Sequence, residues 1–200
     1  MTRGRTAALV SVALLLVGAF AAAVVVLPRW FAEPQGAPTR VEPAAPPTTP
    51  KIKARLFYVS EDGQHLIAWE RDVAVGENTL AQARRIVEAQ LERPSPPLAN
   101  PIPEGTTLRA IHLGGAGEAY VDLSREATTA HRGGTFEEIL TVYSIVNAVT
   151  ENLPAIRSVQ ILIDGHEVDT LAGHVDLRRP LRRETAWVLG PPPREAARQD

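Results

Sequence analysis

Hydrophobic and polar positions alternate along four stretches of the chain in the pattern of half-buried strands. The β-branched and aromatic residues of 52–60 and 65–75 predict two strands, joined by the turn "EDG". Two further strands are predicted at 107–114 and 118–124, and the intervening "GAG" makes them a β-hairpin. The first half of the domain therefore contributes two pairs of adjacent strands.

Apolar residues recur at spacings of three and four along two other stretches, which predicts two helices. The first begins at Thr79, with Gln82 completing a capping box, and "RPSPP" ends it. The second begins at Thr135, with Glu138 in the same capping position. The apolar face of the first helix is predicted to contain Leu80, Ala83, Val87 and Leu91. The buried stripe of the second is predicted to contain Phe136, Ile139, Leu140, Tyr143, Val146 and Val149.

The last regular elements surround an Asp-Gly pair. "SVQILID" at 158–164 predicts a strand, Asp164 and Gly165 predict a two-residue hairpin turn, and 166–171 is the returning strand. The predicted order is β–β–α–β–β–α–β–β. This order indicates a single compact α+β domain, in which two helices cover one face of a mixed or antiparallel sheet.

The N-terminus has the pattern of a membrane segment. Residues 7–27 carry no charge, and a helix of that length spans roughly 30 Å, the hydrocarbon thickness of a bilayer. Arg3 and Arg5 keep residues 1–6 in the cytoplasm. We predict an uncleaved transmembrane signal anchor, and the alternative is a signal peptide cleaved near "AFA" or "AAA". Both place the domain outside the cytoplasm, and the anchor makes the protein a single-pass protein of the cell membrane.

Proline content divides the rest of the chain. Residues 28–50 are predicted to be a linker, since 34–50 contains six prolines and has no apolar period. Residues 51–189 are predicted to form the globular domain. Residues 190–200, "GPPPREAARQD", are predicted to be a disordered tail.

Composition excludes several classes of protein. The net charge of −2 and the pI of about 6.2 give no support for nucleic-acid binding. The chain contains no cysteine, which excludes disulfides, cysteine-ligated zinc, iron–sulfur clusters and a cysteine nucleophile. A lipoprotein anchor is excluded on the same ground.

The stretch "DGHEVDTLAGHVDL" at 164–177 concentrates residues that bind metals. One interpretation is a divalent metal held by His166 and His174 with carboxylates, which come from Asp164, Glu167, Asp169 and Asp176. The histidines are eight residues apart, unlike common zinc sites. Strand alternation also separates His166 from the acids. The interpretation we favour is a turn and the closing strand of a sheet, with Gly173 at a special backbone angle.

Other polar residues are isolated along the chain. We expect Asp122 to lie on the solvent side of its strand. Neither Ser124 nor Ser144 lies in the Gly-x-Ser-x-Gly elbow of a hydrolase. We expect hydrogen-bonded or exposed roles for His65, His112 and His131. Trp69 is predicted to belong to the core, whereas the sequence gives no position for Trp187.

The ordered segments "RLFYVSEDGQHLIAWERDV", "PIPEGTTL", "GEAYVDLSRE", "EEILTVYSIVNAVTENLPAIRSVQILIDGHEV" and "TLAGHVDLRRPL" resemble the GerMN domain of spore germination and sporulation proteins. The resemblance runs from Arg55 to Leu181. GerMN proteins are not known as enzymes, and the resemblance implies a role in cell-envelope assembly, sporulation or germination. It identifies Gly173, His174, Asp176 and Leu177 as the closing signature of the domain.

We therefore expect a non-catalytic, membrane-anchored module that acts through protein–protein contacts. No catalytic residue, cofactor or metal is predicted, and its partners are the membrane, envelope proteins or a second copy of the chain. One alternative is an envelope metal-assisted hydrolase, for which the only support is the density of His and Asp around residue 174. The other alternative is a domain that binds a cell-wall glycan in a groove beside 107–123.

Overall fold

A computed structural model describes residues 49–190, which belong to one compact unit. The elements follow one another along the chain as a series of short strands, two long helices and one short helix. Their bounds are β1 Lys51–Val59, β2 Leu66–Ala74, α1 Thr79–Leu91, β3 Leu108–Leu113, β4 Glu118–Leu123, α2 Glu126–Thr129, α3 Thr135–Asn152, β5 Ser158–Ile163, β6 His166–Glu167, β7 Leu181–Arg182 and β8 Val188–Leu189.

The strands form two sheets. In the smaller sheet β2 lies between β1, which is antiparallel to it, and the short strand β8, which is parallel to it. The larger sheet has the order β3–β4–β5–β6, and β7 continues the edge that β6 begins on β5. β3 and β4 form an antiparallel hairpin, whereas β4 and β5 are parallel and are joined through α2 and α3.

α1 and α3 contribute buried residues to two apolar clusters, one for each sheet. In α1, Val87 packs in the cluster of the larger sheet, and its neighbour Ile86 packs in the cluster of the smaller sheet. In α3, Ile145 packs in the cluster of the larger sheet and Leu140 packs in the cluster of the smaller sheet. The two helices therefore link the sheets, and the core of the molecule lies along them.

The edge of β1 that faces away from β2 pairs with side-chain amides from two helices. The side-chain amide of Gln90 in α1 accepts from the Phe57 N–H at 2.9 Å and donates to the Phe57 carbonyl at 2.8 Å. Asn152 in α3 exchanges the same two bonds with Arg55, both at 2.8 Å. Each amide thus takes the place of a neighbouring strand, and Gln90 satisfies backbone groups of the buried Phe57 that would otherwise be unpaired.

Buried polar residues recur every three residues along α3, and three of them hold loops. Glu138 binds the loop at 171–174, and the Thr141 hydroxyl donates to the Pro101 carbonyl at 2.8 Å. Asn147 exchanges two hydrogen bonds with the backbone of Glu184, at 2.7 and 3.0 Å. α3 therefore fixes three connecting segments as well as packing against the core.

The α+β class and the hairpin at 107–124 are confirmed, but the prediction of one sheet and two helices is wrong. The structure has two sheets and, within residues 49–190, three α-helices and a 3-10 turn at Gly115–Gly117. The returning strand predicted at 166–171 pairs only over His166–Glu167. The additional elements are two to four residues long, too short to show a period in the sequence.

The capping boxes are also corrected. The N-cap of α1 is Asn78, whose Oδ1 accepts from the Ala81 N–H at 2.9 Å. Gln82 reaches back further than predicted, to the N–H of Gly76 at 2.7 Å. Glu138 makes no cap at all, since Gly134 precedes α3 and the carboxylate points into the protein.

Two aromatic residues predicted to be buried are largely exposed. Trp69 is 54% exposed, because β2 contacts the helices less than β1 does and the Trp69 ring borders an open hollow beside the segment 94–98. Phe136 is 46% exposed and meets the ring of Trp187 edge-to-face, with 6.1 Å between the centroids. The aromatic pair gives Trp187 the position that the sequence could not.

No helix in residues 49–190 is both long enough and apolar enough to cross a membrane. The predicted anchor at 7–27 lies outside the described residues, as do residues 28–48 of the predicted linker 28–50 and residues 191–200 of the predicted tail 190–200.

Candidate functional site

The Asp-Gly turn at 164–165 is stabilised by two arginines. Asp164 and Gly165 have φ of 49° and 82°, as the hairpin prediction requires, and the turn joins β5 to β6. Arg109 and Arg125 donate to the Asp164 carboxylate at 2.5 and 3.0 Å. The hydrogen bond from Arg109, with that from Arg125, holds the pKa of Asp164 below its ordinary value. This aspartate is therefore engaged in holding the turn.

Asp122 is buried, and the prediction of a solvent-side position is wrong. Its Oδ1 accepts from the backbone N–H of Gly165 at 2.7 Å, and its Oδ2 lies 3.4 Å from the Arg109 Nε. Because β4 is a central strand, its carboxylate is covered by the turn that follows β5. Asp122 thus supports the same turn from below.

Glu138 is fully buried and organises the loop that contains His174. Its carboxylate accepts from the backbone N–H groups of Leu171 and His174 at 2.8 and 2.7 Å. The His174 Nδ1 lies 3.1 Å from the same carboxylate. Burial raises the pKa of Glu138, but hydrogen bonds from the backbone between 171 and 175 outweigh burial and hold the pKa below its ordinary value.

The histidines and acids of 164–177 lie in separate environments. His166 is exposed and its Nδ1 is 2.9 Å from the Asp164 carbonyl, whereas His174 faces Glu138. Asp176 pairs with Arg178. Across residues 49–190, no group of three or more histidine or acidic side chains is placed to hold one metal ion. The stretch therefore contributes turn and loop contacts.

Both ring nitrogens of His131 are within hydrogen-bond distance of a partner. Its Nδ1 accepts from the Gly133 N–H at 3.0 Å, and its Nε2 lies 3.2 Å from the Thr141 hydroxyl. Burial lowers the pKa of His131. The ring therefore fixes the segment before α3, where the sequence indicated only a loop.

A groove with a volume of about 920 Å³ opens beside this segment. One wall is the proline-rich loop 93–105, and the opposite wall is formed by 130–132 with the start of α3. We call it the main groove. Its interior is partly apolar, with Leu98, Ile102 and Leu140 among the residues that line it.

The main groove is fixed in shape and charged at its rim. The Val59 N–H donates to the Ala99 carbonyl at 2.9 Å, and the Asn100 amide donates to the Gln90 carbonyl at 2.7 Å. These bonds hold loop 93–105 against β1 and α1. The rim carries Arg93, which pairs with Glu104, together with Arg132 and Glu137. A rigid, partly apolar groove with charges of both signs is suited to binding a ligand.

A smaller hollow, with a volume of about 310 Å³, shares one wall with the main groove. We call it the side hollow. It lies between the exposed ring of Trp69, the side chain of Arg71 and the segment 94–98. Arg71 is itself fixed by an ion pair with Glu92 and by a bond to the Ala89 carbonyl at 3.1 Å.

Neither hollow was predicted from the sequence. A run such as "RPSPPLANPIPEG" indicates only a loop, because nothing in it shows where the loop packs. The buried role of Glu138 did carry a signal. Polar residues recur every three positions with Thr141 and Ser144 beside the apolar stripe of α3, a spacing that places them along one helix face.

The sequence model of the Germane family, described as sporulation and spore germination, matches residues 55–169. This span is more than half of the 200 residues. The chain belongs to the Germane family. A comparison with curated protein sequences gave no match.

Solved GerMN domains share the fold of this Germane domain. The first GerMN domain of the sporulation protein GerM from Bacillus subtilis matches with a TM-score of 0.54 and 20% identity, over 66% of this chain and 98% of that one. The tandem GerMN domains of the same protein match with a TM-score of 0.55 and 19% identity, over 66% of this chain and 46% of theirs. A candidate lipoprotein from Clostridium perfringens matches with a TM-score of 0.48 and 25% identity, over 70% of this chain and 93% of that one.

The Germane match includes both walls of the main groove and the side hollow, and it ends at Asp169 before the loop that holds His174. The resemblance stated from the sequence extended to Leu181, twelve residues further. The family relation therefore rests on the part of the domain that carries the hollows.

Proposed function

We propose that this Germane domain is a non-catalytic binding module, tethered to the membrane by residues 7–27 and exposed outside the cytoplasm, that acts through protein–protein contacts in sporulation, germination or envelope assembly. The observation that carries the proposal is the main groove. It is rigid and partly apolar, and its rim charges remain accessible, as binding surfaces require.

The contacts of the acids and histidines support the same proposal. Asp122, Glu138 and Asp164 each hold a turn or loop, and the hydrogen bonds of His131 are used in fixing one wall of the groove. General acid–base catalysis needs a group positioned against a substrate, and these groups are hydrogen-bonded to backbone and side-chain groups of the protein itself. The geometry therefore favours binding over hydrolysis.

The family relation gives the proposal its biological setting. Members of the Germane family are described by sporulation and spore germination. The uncharged segment 7–27 and the proline-rich stretch 34–50 would place the domain at a distance from the bilayer, at about 3.1 Å per residue of extended linker. A tethered module of this kind is suited to contacting other envelope proteins.

Crosslinking in cells tests the proposal. A photoreactive residue is placed at Arg132 on the rim of the main groove, and at Glu167 on β6, which is exposed and lines neither hollow. We expect discrete crosslinked envelope proteins from position 132 of the full chain and none from position 167. No crosslinked protein from position 132, or the same proteins at equal yield from both positions, would contradict the proposal.

A further inference from the structure

The outer edge of β2 has backbone groups that no other part of the described chain pairs. On β1, residues Arg55 and Phe57 direct their N–H and C=O groups away from β2, to Asn152 and Gln90. In an antiparallel ladder their partners Glu70 and Ala68 must direct theirs away from β1. Asp72 lies two residues after Glu70, so its N–H and C=O groups also point away from β1. No hydrogen bond within residues 49–190 reaches the N–H or C=O of Glu70 or Asp72.

β8 closes only the beginning of this edge. The Leu66 N–H donates to the Trp187 carbonyl at 2.7 Å, and Leu189 lies opposite Ile67 in a parallel register. Continued in that register, the ladder would need an N–H from residue 191 for the carbonyl of Ala68. Residues 191–193 are prolines, which have no N–H to donate. Continued in this register, β8 could therefore donate to neither the Ala68 carbonyl nor the Glu70 carbonyl. We call the edge from the Ala68 carbonyl to Asp72 the open edge.

A second copy of the chain is a poor occupant of the open edge. One antiparallel register would use all four backbone groups of Glu70 and Asp72. In it, Glu70 of one copy would lie opposite Asp72 of the second copy, and Asp72 opposite Glu70. A register centred on either residue would place that acid opposite itself. Like charges directly opposite one another destabilise a strand pair. Lys53 already neutralises Asp72 at 2.7 Å, whereas Glu70 forms no ion pair among the described residues.

The side hollow lies on the other face of the same edge. Trp69 and Arg71 point there, and the hollow continues from them to the segment 94–98. A strand added along the open edge would place alternate side chains over this hollow and over Glu70. Strand addition commonly works in this way, since main-chain bonds give affinity and pockets for alternate side chains give specificity.

We propose that the open edge receives an extended segment of a partner protein, with a basic residue opposite Glu70 and apolar neighbours, one of which enters the side hollow. This inference rests on the proposed function and names the kind of partner segment that the domain takes. The open edge also differs from the outer edge of β1, which Gln90 and Asn152 close.

The probe is a short capped peptide in which valine and lysine alternate. The control peptide has glutamate in place of each lysine. The full chain in nanodiscs is used, with amide hydrogen exchange followed residue by residue. We expect the lysine peptide to slow exchange at Glu70 and Asp72 and to bind more tightly than the glutamate peptide. The inward-facing amides of Trp69 and Arg71 are protected by β1 with or without peptide.

Backbone variants separate strand addition from simple charge attraction. Glu70→Pro removes one outward N–H at an edge position where proline is tolerated, and we expect about tenfold weaker binding of the lysine peptide with an unchanged thermal midpoint. Glu70→Gln keeps the N–H, and should mainly remove the preference for lysine over glutamate. Asp72→Pro is the second backbone variant, and it should weaken binding in the same way.

Three results would overturn the inference. Equal binding to Glu70→Pro and to the parent, with both folded, would exclude main-chain pairing. Protection that appears at 93–105 in place of the open edge would move the binding to the main groove. Concentration-dependent protection of Glu70 and Asp72 without peptide would make a second copy the occupant. Each of these leaves the proposed function standing, since that fails on crosslinking from position 132.

Discussion

At the scale of single residues, the polar side chains of this domain mostly complete the hydrogen bonding of its backbone. Glu138 is the strongest case, because a buried carboxylate is unfavourable unless several donors surround it. Backbone N–H groups of the loop at 171–175 supply those donors. The carboxylate therefore fixes the backbone of this loop over α3, where Leu171 and Val175 also pack in the core.

Replacing this carboxylate should therefore destabilise the domain. Glu138→Gln retains one acceptor, removes the charge, and leaves part of the donor set unpaired in the interior. We expect a loss of about 3 kcal/mol in the free energy of unfolding, measured by urea denaturation. Glu137→Gln, at the exposed neighbouring position, is the matched control and should change it by less than about 0.5 kcal/mol. Equal effects of the two substitutions would refute the role given to Glu138.

Gly173 gives a second prediction at this scale, which depends on backbone conformation alone. Its φ is +100°, and no atom lies within 4 Å of the position that a Cβ would take. Gly173→Val should lower the free energy of unfolding by about 2 kcal/mol through strain without any clash. His166→Ala, at an exposed turn position, should have an effect of less than about 0.5 kcal/mol. Thermal denaturation of both variants checks this, and a smaller loss for Gly173→Val than for His166→Ala would show that the strain is absent.

At the scale of elements, side-chain amides act where another protein would use a strand. Gln90 and Asn152 bond to alternate residues of β1, and Asn147 does the same for the segment at Glu184. Because each amide offers one donor and one acceptor at the spacing of a backbone unit, it closes an edge without extending the sheet. The other edge of this strand pair, on β2, is covered by β8 only at Leu66 and Ile67, and the rest of it stays open.

Removing one of these amides should loosen β1 from the helices. Gln90→Leu keeps the volume but leaves the N–H and C=O of the buried Phe57 without partners, and we expect a loss of about 2 to 4 kcal/mol in the free energy of unfolding. Gln64→Leu, on the exposed turn after β1, is the control and should be close to neutral. Hydrogen exchange should show the Phe57 amide among those most accelerated. Unchanged protection of that amide in Gln90→Leu would contradict the arrangement.

At the scale of the whole molecule, periodicity predicted the long elements and missed what connects them. The strands at 52–60 and 158–164, the hairpin at 107–124 and the two long helices follow from local pattern, and the structure confirms them. The division into two sheets depends on amides such as Gln90, for which no local pattern exists. The prediction for Trp69 was wrong for the same reason, because strand alternation gives the two faces of a strand but not whether anything covers them.

The candidate site was less predictable than the fold. Histidines and acids are dense at 164–177, which indicated a metal site as one interpretation, whereas in the structure those groups hold a turn and a loop. The main groove is formed by loop 93–105 and by 130–132, which are distant in sequence and meet only through long-range bonds such as Thr141 to Pro101. Sequence reasoning finds clusters of side chains more readily than surfaces formed by folding.

The most direct test of the central claim, that the groove binds partners while the buried acids support the fold, is the crosslink yield from position 132 per folded molecule. Glu104→Lys reverses an exposed charge on the rim, and should lower that yield several-fold while the free energy of unfolding stays within about 0.5 kcal/mol of the parent. Glu138→Gln should lower stability and leave the yield per folded molecule unchanged. The account would be contradicted if the folded Glu138→Gln protein no longer crosslinked while the Glu104→Lys protein crosslinked normally. That result would place the binding site at Glu138.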